Sequence, residues 1–162
     1  MLCSGGYKLD GFTTLDCNPK CEPDIVGRLP EFKLGSLGTQ WDEIYLIHGI
    51  EHFTARDGCL LLADIHSALA PGGTAILEQP NLESIAKAIL GMETYTDEWE
   101  RSTLWALYGE PSDDPGMAHK WSYTPSLLCS LLEQCGFSAD KIKVGAPRSH
   151  IAGRDFRVEA TK

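Results

Sequence analysis

The chain has 162 residues, of which 43% are hydrophobic and 23% charged, a composition typical of one globular domain spanning 1–162. Its 14 basic and 23 acidic residues give a formal net charge of −9, which disfavours nucleic acid as a partner because phosphate backbones bind mainly to basic side chains. No apolar run reaches the roughly 18 residues of a membrane-spanning helix. No secretory signal opens the sequence either, so we expect a cytoplasmic protein.

The first half of the chain alternates short apolar runs with polar or glycine-bearing segments. The run 55–69 has apolar residues at helical spacing and is closed by Ala-Pro-Gly-Gly, so it predicts a helix. Runs of β-branched and aromatic residues predict strands, and WDEIYLI is the strongest of them. The predicted strands are 1–3, 12–16, 24–26, 41–47 and 74–77.

The second half of the chain predicts helices followed by two closing strands. Thr124 is expected to cap a helix whose first residue is Pro125, and Gly136 is expected to stop it. Because helices separate the strands, the pattern predicts an α/β fold with a parallel sheet joined by crossovers. The other predicted segments are helices at 82–90 and 97–108, a surface loop at 109–116, and strands at 141–144 and 156–160.

The connection between the first two predicted strands is unusually short. Only the five residues YKLDG separate Gly6 from Phe12, whereas a parallel crossover normally takes roughly a dozen residues or more, usually as a helix. The first helix of such a fold is therefore expected to be missing, which leaves part of one sheet face uncovered. We expect either the segment 82–108 or a second copy of the chain, in a homodimer, to cover that face.

The stretch HGIEH at 48–52 matches H-x-x-E-H, the inverted zincin pattern. In a zincin the two histidines lie in a long helix and a third ligand comes from elsewhere. Here the motif directly follows an apolar strand, Gly49 disfavours a helix, and the sequence marks out no third ligand. We therefore predict no resident metal, and keep a zinc hydrolase and a plain strand-end loop as alternatives.

Polar or glycine-bearing segments follow several of the predicted strands. Ligands of open α/β sheets bind at the carboxyl ends of the strands, so these segments are expected to meet at one edge and form a pocket. The segments are SGG after the first strand, DCN after the second, HGIEH after WDEIYLI, and EQPN after the strand at 74–77.

In their order and spacing, these segments resemble a class I S-adenosylmethionine-dependent methyltransferase of the short bacterial type. LCSGGYKLDGFTTLD resembles the first glycine loop and second strand of that family, and WDEIYLIHGIEHF resembles its fourth strand and the loop after it. LAPGGTAILEQPN resembles the helix end, turn and fifth strand. LLEQCGF and the two strands after it resemble the last helix and the closing antiparallel pair.

The resemblance implies a Rossmann-like, doubly wound and mostly parallel seven-stranded sheet with an antiparallel C-terminal strand, here without the usual N-terminal helix. It also implies S-adenosylmethionine as the cofactor. Asp16 would accept hydrogen bonds from the ribose hydroxyls, as the acid at the second strand end of a Rossmann fold does. The implied cofactor-binding residues are Ser4, Gly5, Gly6, Asp16, Cys17, Asn18, Gly27, Arg28, Leu29, Ile47 and His48.

The methyl acceptor is expected to be a small molecule or a sugar. A hydroxyl or amine acceptor needs a base, and histidine titrates in the right range, so His48, His52 and His119 are the candidate catalytic residues. Two departures from the family pattern support an alternative. Ser4 stands where glycine is usual and Arg28 where an acid is frequent, as expected of a degenerate, non-catalytic binding module that keeps only the fold.

Overall fold

The computed structural model of the chain describes residues 1–92 and 97–162, with side chains described outside 93–102. Within that part there are six strands and four α-helices. The α/β class predicted from the sequence is confirmed. The strands are β1 (Leu15–Asp16), β2 (Ile25–Val26), β3 (Trp41–Ile47), β4 (Leu69–Pro80), β5 (Ile142–Gly145) and β6 (Asp155–Thr161). The helices are α1 (Ala55–Ala68), α2 (Leu82–Ile89), α3 (Asp97–Tyr108) and α4 (Pro125–Gln134).

The strands form two hydrogen-bonded groups. Strand β1 pairs in parallel with β2, and the other four strands lie in the order β3-β4-β6-β5. Strand β3 is parallel to β4, while β6 is antiparallel to both of its neighbours, so the closing antiparallel pair appears where it was expected.

The predicted seventh strand, at the start of the chain, is reduced to single bridges. Leu2 bridges Leu15 on one side and Leu46 on the other, both in parallel, and so joins the two groups of strands. The Leu2 N–H donates to the Tyr45 carbonyl at 2.8 Å. Cys3 then adopts φ 50°, a left-handed conformation that ends extended pairing, which is why six strands rather than seven are observed.

Local signals in the sequence set the helix boundaries. The Thr124 side chain accepts a hydrogen bond from the Leu127 N–H, and Pro125 is the first helical residue of α4, as predicted. Thr54 caps α1 in the same way by accepting from the Asp57 N–H.

One face of the sheet carries the hydrophobic core. Side chains point to alternate faces along a strand, so Ile44 and Leu46 of β3 lie on the same side as Ala75 and Leu77 of β4. All four are buried in one apolar cluster. Helices α1 and α4 pack there with their own buried leucines and isoleucine, namely Leu61, Leu62, Ile65, Leu128 and Leu132.

The opposite sheet face is covered by polar side chains and a loop. Phe12, from the segment before β1, packs edge-to-face on Tyr45 with ring centroids 5.0 Å apart. Beside Tyr45, the Arg157 guanidinium contacts the Glu78 and Glu159 carboxylates, each at 2.7 Å. Residues 1–14 contain no helix, as expected.

The cover predicted for this face from 82–108 stays a prediction, because residues 93–96 lie outside the described part of the chain. Helices α2 and α3 pack mainly against each other. The homodimer stays a prediction. No helix within the described residues has the length and apolar character that crossing a bilayer requires.

Candidate functional site

The glycine-bearing loop and the end of β1 are hydrogen-bonded to each other. The Asp16 carboxylate accepts from the Gly5 N–H through Oδ2 and from the Asn18 N–H through Oδ1, each at 2.9 Å. Gly5 and Gly6 have φ values of 53° and 85°, which glycine adopts at little cost. The structure therefore brings the two main elements of the predicted cofactor site together.

The loop leaves room for a ligand beside it. A Cβ added at Gly5 would meet no atom within 4 Å, and one at Gly6 would meet only the Cys21 carbonyl oxygen at 3.9 Å. The Ser4 hydroxyl is buried and has no hydrogen-bond partner among the described residues. Each Asp16 oxygen has a second lone pair beyond its backbone bond. These features fit a cofactor with hydroxyl and amine donors.

The remaining predicted cofactor residues surround this loop unevenly. The Gly27 N–H donates to the Asp16 carbonyl at 2.9 Å, and a Cβ at Gly27 would lie 2.9 Å from the Phe32 ring, so a larger residue there would displace that ring. Cys17, Asn18 and Arg28 are exposed. Leu29 is buried in the core, and Ile47 is half-buried at the end of β3.

His48 lies at the carboxyl end of β3 between two carboxylates. Its backbone has φ 46°, and its Nδ1 and Nε2 atoms lie 3.1 Å from Glu51 Oε1 and 3.3 Å from Asp155 Oδ2. Burial alone would lower the pKa of His48, but the neighbouring carboxylates of Asp155 and Glu51 raise it to about 9. A protonated imidazole accepts no proton, so the structure disfavours His48 as the base.

Asp155 links this histidine to a buried arginine. Arg154 donates from Nε to Asp155 Oδ1 at 2.7 Å, and its NH2 group donates to Oδ2 at 2.7 Å. Burial would raise the pKa of Asp155, but the bonds from His48 and Arg154 lower it to about 2. The ring of His150 lies against that of His48 with centroids 3.8 Å apart.

His52 and His119 meet on the other side of Glu51. Their rings are edge-to-face with centroids 4.8 Å apart. His119 comes from the segment between α3 and α4, and its Nδ1 lies 2.9 Å from the Ala106 carbonyl oxygen. Burial lowers the pKa of His119. Glu51 is 2% exposed, and neither of its carboxylate oxygens has a hydrogen-bond donor among the described residues.

The structure does not reproduce the zincin arrangement of HGIEH. Only a short 3₁₀ turn, Ile50–His52, follows β3, because Gly49 and His48 have non-helical backbone angles. The two histidines of the motif fall into different groups of potential metal ligands. One group is His48, His150 and Asp155, the other is Glu51, His52 and His119, and the ligand atoms within each group lie within 4.8 Å of one another.

Cys3 shows that the loop and the histidines share one edge of the sheet. Burial raises the pKa of the Cys3 thiol to about 12, and the nearby charges of Asp16 and Glu51 act in the same direction. The thiol is therefore within electrostatic reach of both parts of the site. His66, by contrast, packs on Phe137 with ring centroids 4.8 Å apart.

Sequence reasoning missed three residues of this edge: His150, Arg154 and Asp155. Asp155 is the first residue of β6, and Arg154 and His150 lie in the loop before it. Because β6 is antiparallel to β4, its amino end reaches the edge where the carboxyl ends of β3 and β4 lie. The predicted antiparallel pairing was the signal that could have found them.

Comparison with known proteins places the chain in a family. A family model described as a methyltransferase domain matches residues 12–142. The chain belongs to the methyltransferase domain family. The match bears out the resemblance to class I S-adenosylmethionine-dependent methyltransferases and identifies S-adenosylmethionine as the family cofactor. No curated protein matches this methyltransferase.

Several solved structures share the fold of the methyltransferase. The DhpI–SAM–HEP complex gives a TM-score of 0.64 at 15% identity, covering 98% of this chain and 75% of DhpI. A SAM-dependent methyltransferase from Archaeoglobus fulgidus gives a TM-score of 0.60 at 16% identity, and the match covers 92% of this chain and 75% of that protein. A protein of Nostoc punctiforme proposed to be an O-methyltransferase gives a TM-score of 0.50 at 21% identity. That match covers 76% of this chain and 32% of the Nostoc protein. At these identities the likeness shows the fold.

Proposed function

We propose that the chain transfers the methyl group of S-adenosylmethionine to a small-molecule acceptor, a class that includes sugars. The observation that carries the proposal is the placement of the Gly5–Asp16 hydrogen bond and of the histidines around Glu51 at one edge of a methyltransferase fold. Ligands of open α/β sheets bind at this edge.

The cofactor is assigned to the loop and the strand ends beside it. Asp16 would accept from the ribose hydroxyls, and the open glycine loop, with the unpartnered Ser4 hydroxyl, would hold the methionine portion. Cys17 and Asn18 would flank the adenosine, and Gly27 and Arg28 would line its far side, with Leu29 packed in the core behind them. When bound, S-adenosylmethionine supplies a methyl group on a positively charged sulfur.

The acceptor is assigned to the histidine side of the edge, next to Ile47 and His48. Methyl transfer is an in-line displacement in which the acceptor atom bonds to the methyl carbon as the bond from carbon to sulfur breaks, so positioning does most of the work. The acceptor proton would pass to His52 or His119. Two solved neighbours support a small acceptor: one is proposed to be an O-methyltransferase, and DhpI was crystallised with SAM and HEP.

Titration calorimetry with S-adenosylhomocysteine tests the cofactor assignment. Asp16→Ala is expected to weaken binding by at least about tenfold, because hydrogen bonds to a charged group contribute roughly 1.5–3 kcal/mol and about 1.4 kcal/mol is one decade. Asp10→Ala removes the same charge from an exposed position before β1 and should bind like the parent. Equal affinity for Asp16→Ala and the parent would show that Asp16 does not hold the ribose.

The same titration separates catalysis from a degenerate binding module. Ser4 and the exposed Arg28 are the features that favour the module. A parent protein that fails to bind S-adenosylhomocysteine would contradict the proposed function and favour the module. If it binds, a screen across sugars, small acids and amines that measures S-adenosylhomocysteine formation identifies the acceptor.

A further inference from the structure

Glu51, His52 and His119 form a group of side chains that the proposed methyl transfer does not fully explain. One potential ligand atom from each lies within 4.8 Å of the other two. Glu51 and His52 come from the turn after β3, while His119 comes from the segment after α3. The fold thus brings His119, from a distant part of the chain, to the adjacent residues Glu51 and His52.

The Glu51 carboxylate is the strongest sign that the group has a ligand. It is 2% exposed, and no donor among the described residues hydrogen-bonds to either oxygen; its nearest charged contact is His48 Nδ1, at 3.1 Å. A buried carboxylate without hydrogen bonds is costly. The protonated His48 balances part of this charge from one side, and a cation bound among the three residues would contact the oxygens that accept no hydrogen bond.

Both histidines of the group have a backbone carbonyl next to Nδ1, as metal-binding histidines often do. The Nδ1 atoms of His52 and His119 lie 3.4 Å and 2.9 Å from the carbonyl oxygens of Ala118 and Ala106. A histidine that donates from Nδ1 to a backbone carbonyl presents the lone pair of Nε2, and such outer partners usually fix metal-binding histidines. Both rings therefore have Nε2 available.

We propose that Glu51, His52 and His119 bind one divalent transition metal ion, with zinc as the best match. Two imidazole nitrogens and one carboxylate oxygen are a common zinc ligand set, and three protein ligands leave the fourth tetrahedral position open. His48, which lies against Glu51 and is itself held by Asp155, would orient the carboxylate from outside the ligand set.

The neighbouring group of His48, His150 and Asp155 is less suited to a cation. Asp155 already accepts two hydrogen bonds from the Arg154 guanidinium and one from the Ile151 N–H at 3.2 Å. A metal there would compete with Arg154 for Asp155, which is the only carboxylate in that group of three residues. Glu51 has the His48 imidazole beside one of its oxygens, at 3.1 Å, but accepts no hydrogen bond from the described residues, which favours the group that contains Glu51.

The role of this metal rests on the proposed function. Bound in the open coordination position, an acceptor hydroxyl would lose its proton to solvent near neutral pH, since a metal ion lowers the pKa of an oxygen ligand. The oxygen would then form its bond to the methyl carbon as the carbon–sulfur bond breaks. With a metal bound, His52 and His119 would be its ligands, so solvent would replace them as the acceptor of the proton, and the methyl acceptor would be an oxygen compound.

Metal binding is tested without cofactor or acceptor, so its result is separate from that of the methyl-transfer proposal. Untagged protein carrying Cys17→Ser, which removes the exposed thiol, is titrated with Zn²⁺ by calorimetry and with Co²⁺ by visible absorption. One equivalent of Zn²⁺ is expected, together with a Co²⁺ spectrum of a nitrogen- and oxygen-ligated site. His119→Ala and His52→Ala should each weaken Zn²⁺ binding by at least about tenfold, because loss of even an outer partner costs roughly 10–100-fold.

His150→Ala is the matched control, since it removes a histidine from the neighbouring group alone. It should bind Zn²⁺ like the parent. Circular dichroism and thermal melting establish that each variant is folded. The proposal is overturned if the folded parent binds no Zn²⁺, if His119→Ala and His52→Ala both bind it as tightly as the parent, or if only His150→Ala loses it.

Discussion

At the scale of single residues, Gly58 has a packing role that its place in a helix does not suggest. It lies in α1 with ordinary helical backbone angles, yet a Cβ there would be 2.5 Å from the Tyr123 hydroxyl oxygen. The hydroxyl is buried and has no hydrogen-bond partner among the described residues. The glycine therefore makes room for an aromatic ring that the core requires.

Gly58→Ala is expected to destabilise the protein by up to about 2 kcal/mol. Overpacking costs about 1–3 kcal/mol, and the better helix propensity of alanine, about 1 kcal/mol, offsets only part of it. In a Tyr123→Phe background the clash disappears, so the same substitution should there become neutral or stabilising. Urea unfolding of the parent, the two single variants and the double variant gives this double-mutant cycle. An unchanged effect of Gly58→Ala in the Tyr123→Phe background would contradict the packing role.

The candidate site was only partly predictable at this scale. Asp16 and the glycine loop were found because their positions follow strand ends, which local patterns reveal. The environment of Glu51 was not predictable. His119 reaches it from a distant segment, and His48 lies beside it because of a left-handed backbone turn. Gly49 and the preceding strand argued correctly against a helix at HGIEH, but no local pattern shows which distant segment reaches Glu51.

At the scale of elements, the pairing of β4 with β6 carries a buried charge network. Glu78 accepts from the Arg157 guanidinium at 2.7 Å and from the Arg148 and Ser149 N–H groups at 2.8 Å and 3.0 Å. Arg157 also donates to Glu159. Burial alone would raise the pKa of Glu78, but these hydrogen bonds lower it overall. The carboxylate is thus more stable as an anion in the folded protein than in the unfolded chain.

Glu78→Gln is expected to destabilise the protein by about 3 kcal/mol at neutral pH. Removing one partner of a buried ion pair costs about 3–5 kcal/mol, and the lower end applies because Glu159 still faces Arg157. The control is Glu43→Gln, an exposed carboxylate on β3, which should change the free energy of unfolding little.

The same carboxylate gives the protein a pH dependence with a defined sign. A lowered folded pKa contributes stability above the unfolded pKa of about 4.5, and this contribution is lost as pH falls through the folded value. Between neutral pH and pH 4 the parent should therefore lose more free energy of unfolding than Glu78→Gln does. Denaturant titrations of both proteins at neutral pH and at pH 4 measure this difference. An equal loss of free energy of unfolding in the two proteins would contradict it.

Elements with strong local signals were predicted well, and short ones were not. The boundaries of β3, α2 and α4 agree with the sequence prediction to within a residue or two because strand composition, helical spacing and caps determine them. The first strand was overestimated, since the left-handed Cys3 that ends it leaves no mark in the sequence. The length of β4, which extends from Leu69 to Pro80, depends on pairing with β3 and β6.

At the scale of the whole molecule, cofactor binding should raise thermal stability. A ligand that binds only the folded state adds about 2.7 kcal/mol at a concentration of 100 times its Kd. For a chain of 162 residues, each kcal/mol shifts Tm by roughly 2–4 °C, so S-adenosylhomocysteine should raise Tm by roughly 5–10 °C at that concentration. Scanning calorimetry measures the shift.

Asp16→Ala supplies the internal control for that melting experiment. At the same ligand concentration its shift should be smaller, because the stabilisation depends on affinity. An adenosine control ligand separates ribose recognition from recognition of the methionine portion. Equal shifts in the parent and in Asp16→Ala would speak against ribose binding by Asp16, whatever the melting temperature of the free variant.

The position of β6 between β4 and β5 has a consequence for biosynthesis. A ribosome adds about 5–20 residues per second, so several seconds pass between the emergence of Pro80 and that of Asp155. During this interval a nascent chain that has already paired β3 with β4 presents an unpaired strand edge, with Glu78 still lacking Arg157. Open edges of this kind recruit other chains. Translation therefore passes through a vulnerable stage that ends only when β6 inserts.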